Sequence, residues 1–302
     1  MIIQIIHIIS NGGISMATAF KINLDGFNKF LIIQRVAPTT KEAYLRSVKD
    51  LSSFHNQPAA DLTNDQIQDF LHYNIQEKQL SWSSCNILFC GLKKYYHVFL
   101  NRSDKDFTIP PRPRVKQLPM LLSREDVARI LTVKSNIKHR ALLTTVYGSG
   151  LRASEAVKLR PEHIESDRMM IRVEQGKGRK DRYTVLSQTC LDLLREYWRT
   201  CQPGKWLFFG RDRTKPMSIG TAQQIYYQAK EKAGVTKGRG IHTLRHCFAS
   251  HLLEDGAELY VIKRWLGHTA IKTTCTYLHL SPDYLAKITS PLDLLYSSGG
   301  QA

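Results

Sequence analysis

From about Phe20 to Leu100, apolar residues recur at intervals of three and four, the spacing of helices that bury one face. Phe27, Phe30 and Leu31 mark a first helix. Tyr44, Leu45, Val48 and Leu51 mark a second, Ile67, Phe70, Leu71 and Ile75 a third, and Leu88, Leu92, Tyr95 and Phe99 a fourth. Thr39-x-x-Glu42 and Thr63-x-x-Gln66 have the spacing of capping boxes, in which side chains at both ends satisfy orphan backbone donors, so the second and third helices are predicted to open there. The pattern predicts a small four-helix domain over 16–108. It stops at Ile109–Pro119, where four prolines deny a helix and favour an extended connector.

Beyond the connector the period changes. Ser123 has the setting of an N-cap before Val127, Ile130 and Leu131, and Ala141 to Val146 continues as an apolar helix. Tyr147-Gly148-Ser149-Gly150 breaks that helix, and Leu151-Arg152-Ala153-Ser154-Glu155 begins the next. Met169 to Val173 and Arg182 to Leu186 are rich in β-formers and flank a Gly- and Lys-rich stretch, which predicts a β-hairpin with a basic tip. Leu191 to Trp198 and Ala222 to Ala233 are expected to be helices, Leu207 to Phe209 a short buried segment, and Trp206 and Trp265 packing residues. The fold class is therefore mainly α with a small β-hairpin or sheet, in a second domain over 120–290 followed by a tail over 291–302.

Length and composition narrow the functions available. A chain of 302 residues with 42% hydrophobic content suits two soluble domains, and a net charge of +17 makes a polyanion the natural partner. Six cysteines without a Cys-x-x-Cys pair read as free thiols in the cytoplasm rather than as a zinc site or disulfide framework. The first fifteen residues lack a basic leader and fall short of the ~20 apolar residues of a membrane span, so they read as a start-site extension or a disordered arm ahead of Met16. No membrane association is expected.

The candidate chemistry gathers between Ile241 and Leu278. His242 and Arg245 stand at i and i+3 on a helix, which points both tips to one side where they can grip a small anion. Arg245 offers a fork of donors suited to phosphate, and His242 can move a proton near neutral pH. Gly267 ends a short apolar helix and sets His268 on the turn, and Tyr277 follows on the next run as a candidate nucleophile. Arg152, just past a Gly-Ser-Gly turn, is either a further anion candidate or a surface arginine after a helix break. His246 and His251 are assigned core or capping roles. No His-Glu-x-x-His pattern is present, so neither metal nor cofactor is expected.

The ordered set Gly148-x-Gly150-Leu151-Arg152-x-Ser154-Glu155, then His242-x-Leu244-Arg245-His246, Leu266-Gly267-His268 and Tyr277 resembles the signature of the tyrosine recombinase (phage integrase) family, Xer-like or of a mobile element, from about Phe20 to Leu280. That resemblance implies an N-terminal core-binding domain that grips duplex DNA, with Lys41, Arg46, Lys93 and Lys94 either phosphate contacts or part of a solvated face. In the connector, Arg112, Arg114 and Lys116 are either further contacts or a solvated charged run. The resemblance also implies a catalytic set of Arg152, Lys177, His242, Arg245, His268 and Tyr277. The two arginines would clamp the phosphate, Tyr277 would attack with His242 taking its proton, and Lys177 on the hairpin would protonate the leaving 5′ oxygen. Arg179 and Lys180 compete for the last role. Among the other tyrosines, Tyr260, Tyr284 and Tyr296 lack the Leu-Gly-His turn at this distance.

The activity implied is site-specific DNA recombination or integration through a 3′-phosphotyrosyl intermediate. The alternatives are a type IB topoisomerase-like relaxing enzyme and a catalytically idle DNA-binding regulator. The resemblance further implies a homo-tetramer on synapsed double-stranded DNA and leaves open whether a partner recombinase takes part. In it, Pro291 to Tyr296 either docks on a neighbour or forms a flexible tail. The short connection from Gln202 to Ser218 has no room for the extra recognition insert of integron integrases.

Overall fold

Apolar faces at the predicted spacings do build a helical N-terminal unit. A computed structural model of the chain describes residues 16–112, 120–174 and 181–278, with side chains from residue 23 onward. The chain divides into two compact units, Met1–Lys116 and Gln117–Ala302. In the first, α1 (Met16–Ile33), α2 (Pro38–His55), α3 (Asn64–Gln76) and α4 (Trp82–Lys93) surround a core of Phe27, Leu31, Leu51, Phe70, Tyr95 and Tyr96. Thr63 and Gln66 form the predicted capping box on α3. The Thr39 box does not form. Pro38 already fits the first turn of α2 through its fixed φ, so Ala37 is the N-cap and Thr39 lies inside the helix.

The fourth helix winds more loosely over Lys94–Phe99, a π-helical stretch that turns Tyr95 and Tyr96 into the core. Phe27 meets Tyr95 edge to face, with ring centroids 5.2 Å apart. Of the candidate phosphate contacts here, Arg46 and Lys93 are exposed, while Lys41 and Lys94 are half-buried, Lys94 over the ring of Phe30. Arg112 stacks its guanidinium over Trp82 at 5.6 Å. Arg114 and Lys116 lie outside the described residues.

In the second unit, α5 (Arg124–Thr132) opens at Ser123, whose side chain caps the Asp126 N–H as predicted. The centre is α6 (Ile137–Ser149), apolar on several faces because it packs against both α8 (Gln188–Cys201) and α10 (His242–Glu254). The expected hairpin strands are β2 (Met170–Val173) and β3 (Arg182–Val185), antiparallel with Val173 opposite Arg182. A two-residue strand, β1 (Ile164–Glu165), extends them into a three-stranded sheet in the order β1-β2-β3. Thr184 Oγ1 donates to the Ser149 carbonyl at 2.8 Å and ties this sheet to the end of α6.

Three more helices complete the unit as described: α9 (Ile219–Lys232), α11 (Leu259–Leu266) and α12 (Ile271–Cys275), with α7 (Ala153–Ala156) as a single turn after α6. A small separate core of Phe248, Leu253, Ile262 and Leu266 seats α11 against α10, and Tyr277 joins it. Tyr277 sits in a turn just past α12 rather than within a helix. Among the described residues no helix is long and apolar enough to cross a membrane.

Candidate active site

The anion-facing wall begins where α6 must stop. Gly150 closes that helix in the left-handed region (φ +60), and a Cβ there would lie 2.4 Å from the Phe248 ring, so both backbone and space require glycine. The chain then turns extended and Arg152 becomes the N-cap of α7. Its backbone N–H donates to Glu155 Oε2 at 2.8 Å and its guanidinium to Oε1 at 2.6 Å. Arg182, the first residue of β3, binds the same carboxylate with two parallel bonds of 2.8 Å and donates from Nε to the Trp265 carbonyl. Arg245 donates to the carbonyls of Gly150 and Leu266, both at 2.6 Å, and stands 3.7 Å from Glu155.

Three guanidinium groups around one carboxylate leave an excess of positive charge where a phosphate would be welcome. Burial alone would raise the Glu155 pKa, but the hydrogen bonds and charges of Arg182 and Arg152 override it and bring the carboxyl down to about 2. Burial, followed by the neighbouring Arg152 cation, lowers Arg245 to about 9, so it stays charged at neutral pH. Arg245 is only 4% exposed, and Arg152 keeps more of its side chain in the open.

The opposite wall comes from α10, α11 and the turn after α12. Gly267 ends α11 in the left-handed region and turns the chain so that His268 faces Arg245. Arg245 donates to His268 Nε2 at 3.3 Å, which leaves Nδ1 protonated to donate to Thr274 Oγ1 at 3.0 Å. The His268 and Tyr277 rings lie parallel, with centroids 6.4 Å apart. Tyr277 is 3% exposed, and its hydroxyl lies 3.1 Å from His246 Nδ1. Burial raises the Tyr277 pKa while Arg245 and Arg152 pull it back. Burial also holds His268 and His246 neutral, each down to about 4 with help from nearby cationic groups.

Arg152, His242, Arg245, His246, His268 and Tyr277 line one cavity of about 290 Å³. Five of the six sequence-predicted residues therefore meet, and the sixth, Lys177, lies outside the described residues together with Arg179 and Lys180. His242 opens α10 on the cavity wall, its pKa lowered by burial and by Arg245 and Arg152. The Tyr277 hydroxyl pairs with His246 rather than with His242. That departs from the core or capping role expected for His246. The spacing His242 to His246, one turn on one helix face, was the available signal. His251 is held as expected, between the Tyr147 hydroxyl and the Leu122 carbonyl. Arg182 has no comparable mark in the sequence. Among the described residues, no group of three His, Cys, Asp or Glu side chains could hold a metal ion.

Residues 121–283 match the model of the phage integrase family, and residues 24–106 that of the phage integrase N-terminal SAM-like domain. A Sinorhizobium fredii protein named as an integrase/recombinase is 38% identical over 265 residues, covering 87% of this chain and 86% of that one. The tyrosine recombinase XerA of Thermococcus kodakarensis is 28% identical over 283 residues, covering 92% and 98%. Among solved structures, a lambda integrase tetramer bound to a Holliday junction shares the fold with a TM-score of 0.65 at 17% identity, over 89% of this chain and 78% of that one.

Proposed function

The chain belongs to the phage integrase family of site-specific tyrosine recombinases, and on that premise we propose how its cavity cuts and rejoins DNA strands. The observation that carries the reading is the convergence of Arg152, His242, Arg245, His268 and Tyr277 on one cavity from segments far apart in the chain. A phosphodiester is guarded by its own negative charge. Arg152 and Arg245 neutralise the non-bridging oxygens and the added charge of the pentacoordinate state, and losing one such donor costs on the order of 10²–10³ in rate. His242 and His268 border the same phosphate as hydrogen-bonding groups. Glu155 and Arg182 keep the arginines in place.

Tyr277 attacks phosphorus, the bond to the 5′ oxygen breaks, and the strand end stays on the enzyme as a 3′-phosphotyrosyl ester. Lys177, by its place in the family pattern, is the proposed donor to the leaving oxygen. The ester conserves the energy of the broken bond, so rejoining by a 5′-hydroxyl needs no cofactor. The relatives are named as integrases and recombinases, which favours neither a relaxing enzyme nor an idle regulator.

Double-stranded DNA is the substrate, four protomers assemble on two synapsed duplexes, and the reaction takes place in the cytoplasm. The net charge of +17 supports the first, and six free cysteines support the last. The lambda integrase tetramer is the precedent for the second. Tyr277→Phe is expected to bind DNA as the wild type does but to form no covalent adduct on nicked duplexes. An adduct that persists in that variant overturns the assignment.

A further inference from the structure

The reading of Tyr277 as the nucleophile leaves its proton without a destination, and the neighbouring side chains narrow the choice. His268 is committed at both ring nitrogens, since Arg245 can only donate to Nε2 and Nδ1–H then donates to Thr274. Arg152 and Arg245 are cations that can only donate. Among the described residues the Tyr277 hydroxyl has one hydrogen-bond partner, His246 Nδ1 at 3.1 Å. In the tautomer that carries its proton on Nε2, His246 Nδ1 accepts from that hydroxyl, and no other acceptor for it lies in reach among the described residues.

Resting on the recombinase reading, we infer that His246 is the general base of strand cleavage and the general acid of strand rejoining. In cleavage the Tyr277 O–H bond breaks, its proton moves to His246 Nδ1, the new O–P bond forms and the bond to the 5′ oxygen opens. In rejoining, the 5′-hydroxyl attacks phosphorus and the departing phenolate takes the proton back from the imidazolium. Geometry supports the assignment before acidity does, because a base must lie within hydrogen-bond reach of the proton it removes. The free site keeps His246 neutral, so Nδ1 is open to accept. The groups that bear on it are His242 and Arg245 of its own helix, Tyr277 from the turn after α12, and His268 beyond Tyr277. A bound phosphodiester brings negative charge among these cations and raises the basicity of the ring at the moment it is needed.

The test uses the full chain and nicked duplex oligonucleotides with a randomised core between fixed arms, in which a cleaved strand loses its short 5′-hydroxyl end and the adduct is trapped. Duplexes captured by the wild type then serve for His246→Ala and His246→Gln. Both variants are expected to bind these duplexes as the wild type does and to form adduct slower by about 10²-fold or more. Added imidazole is expected to speed the alanine variant. A glutamine variant that cleaves at the wild-type rate reduces His246 to a positioning residue and overturns the inference. So does an alanine variant that stays at the wild-type rate, or one that is slow and that imidazole leaves slow. A wild type that captures no duplex at all overturns the recombinase reading itself, a separate result.

Discussion

On one wall of the cavity, Glu155 gathers Arg152 and Arg182 at 2.6–2.8 Å and Arg245 at 3.7 Å, and two backbone carbonyls fix Arg245 further. On the other, Tyr277 is held by one hydrogen bond to His246 and a parallel His268 ring. The first wall is a charged scaffold whose members are expensive to leave unpaired in a buried setting, so its function and its stability are bound together. The second consists of neutral groups and can change at little cost to the fold. Neutralising a phosphate needs charges fixed in advance, whereas a nucleophile needs only reach and somewhere to send its proton.

The largest difference is expected at Glu155. Glu155→Gln strips three guanidinium groups of their shared carboxylate, and denaturant unfolding is predicted to show a loss of about 3–5 kcal/mol. Tyr277→Phe on the other wall should stay close to wild-type stability, because the ring remains and only the hydroxyl bond to a neutral histidine is lost. Equal losses would erase the contrast.

Acid titration sharpens it. The folded pKa of Glu155 is depressed to about 2, so the stability it lends is full above the unfolded value of about 4.3 and is lost as pH falls from there towards 2. That limb is predicted to vanish in Glu155→Gln. His246 and His268 are depressed to about 4 from an ordinary value near 6.5. Their neutral burial therefore favours the fold above about 6.5 and loses that advantage as pH falls towards 4, when the unfolded chain takes up protons first. This second limb should lie at higher pH than that of Glu155. It should shrink in a variant with glutamine at both positions, and His242, whose pKa burial also lowers, keeps part of it.

The smallest effect is expected at Thr274. Thr274→Val keeps the shape but removes the acceptor for His268 Nδ1–H, and a stability loss of about 1 kcal/mol is predicted, with a slower adduct rate as the ring loses its orientation. A loss as large as that of Glu155→Gln would show that the tyrosine wall is a scaffold too.

How much of this was legible in the sequence follows the same division. Helices with one apolar face, the Thr63 cap and the Gly150 break are local, and spacing alone reveals them. Arg245 stood out because an arginine a turn from a histidine is a local pattern as well, whereas Arg152 stood out only through its place in the family signature. Arg182 did not, since its value comes from sitting opposite Val173 across the sheet and beneath the Trp265 carbonyl, contacts made by distant residues. His246 and His251 are alike in sequence and differ only in what packs beside them, Tyr277 for one and Tyr147 with the Leu122 carbonyl for the other. The two-residue β1 was too short to leave a period. The Thr39 box was a valid local pattern overruled by the neighbouring Pro38.

The most direct measurement is to digest a trapped protein–DNA adduct with nuclease and protease and locate the residual nucleotide by tandem mass spectrometry. The account predicts a 3′-phosphonucleotide on the peptide containing Tyr277, at its phenolic oxygen. The same mass on Tyr260, Tyr284, Tyr296 or a serine would contradict it.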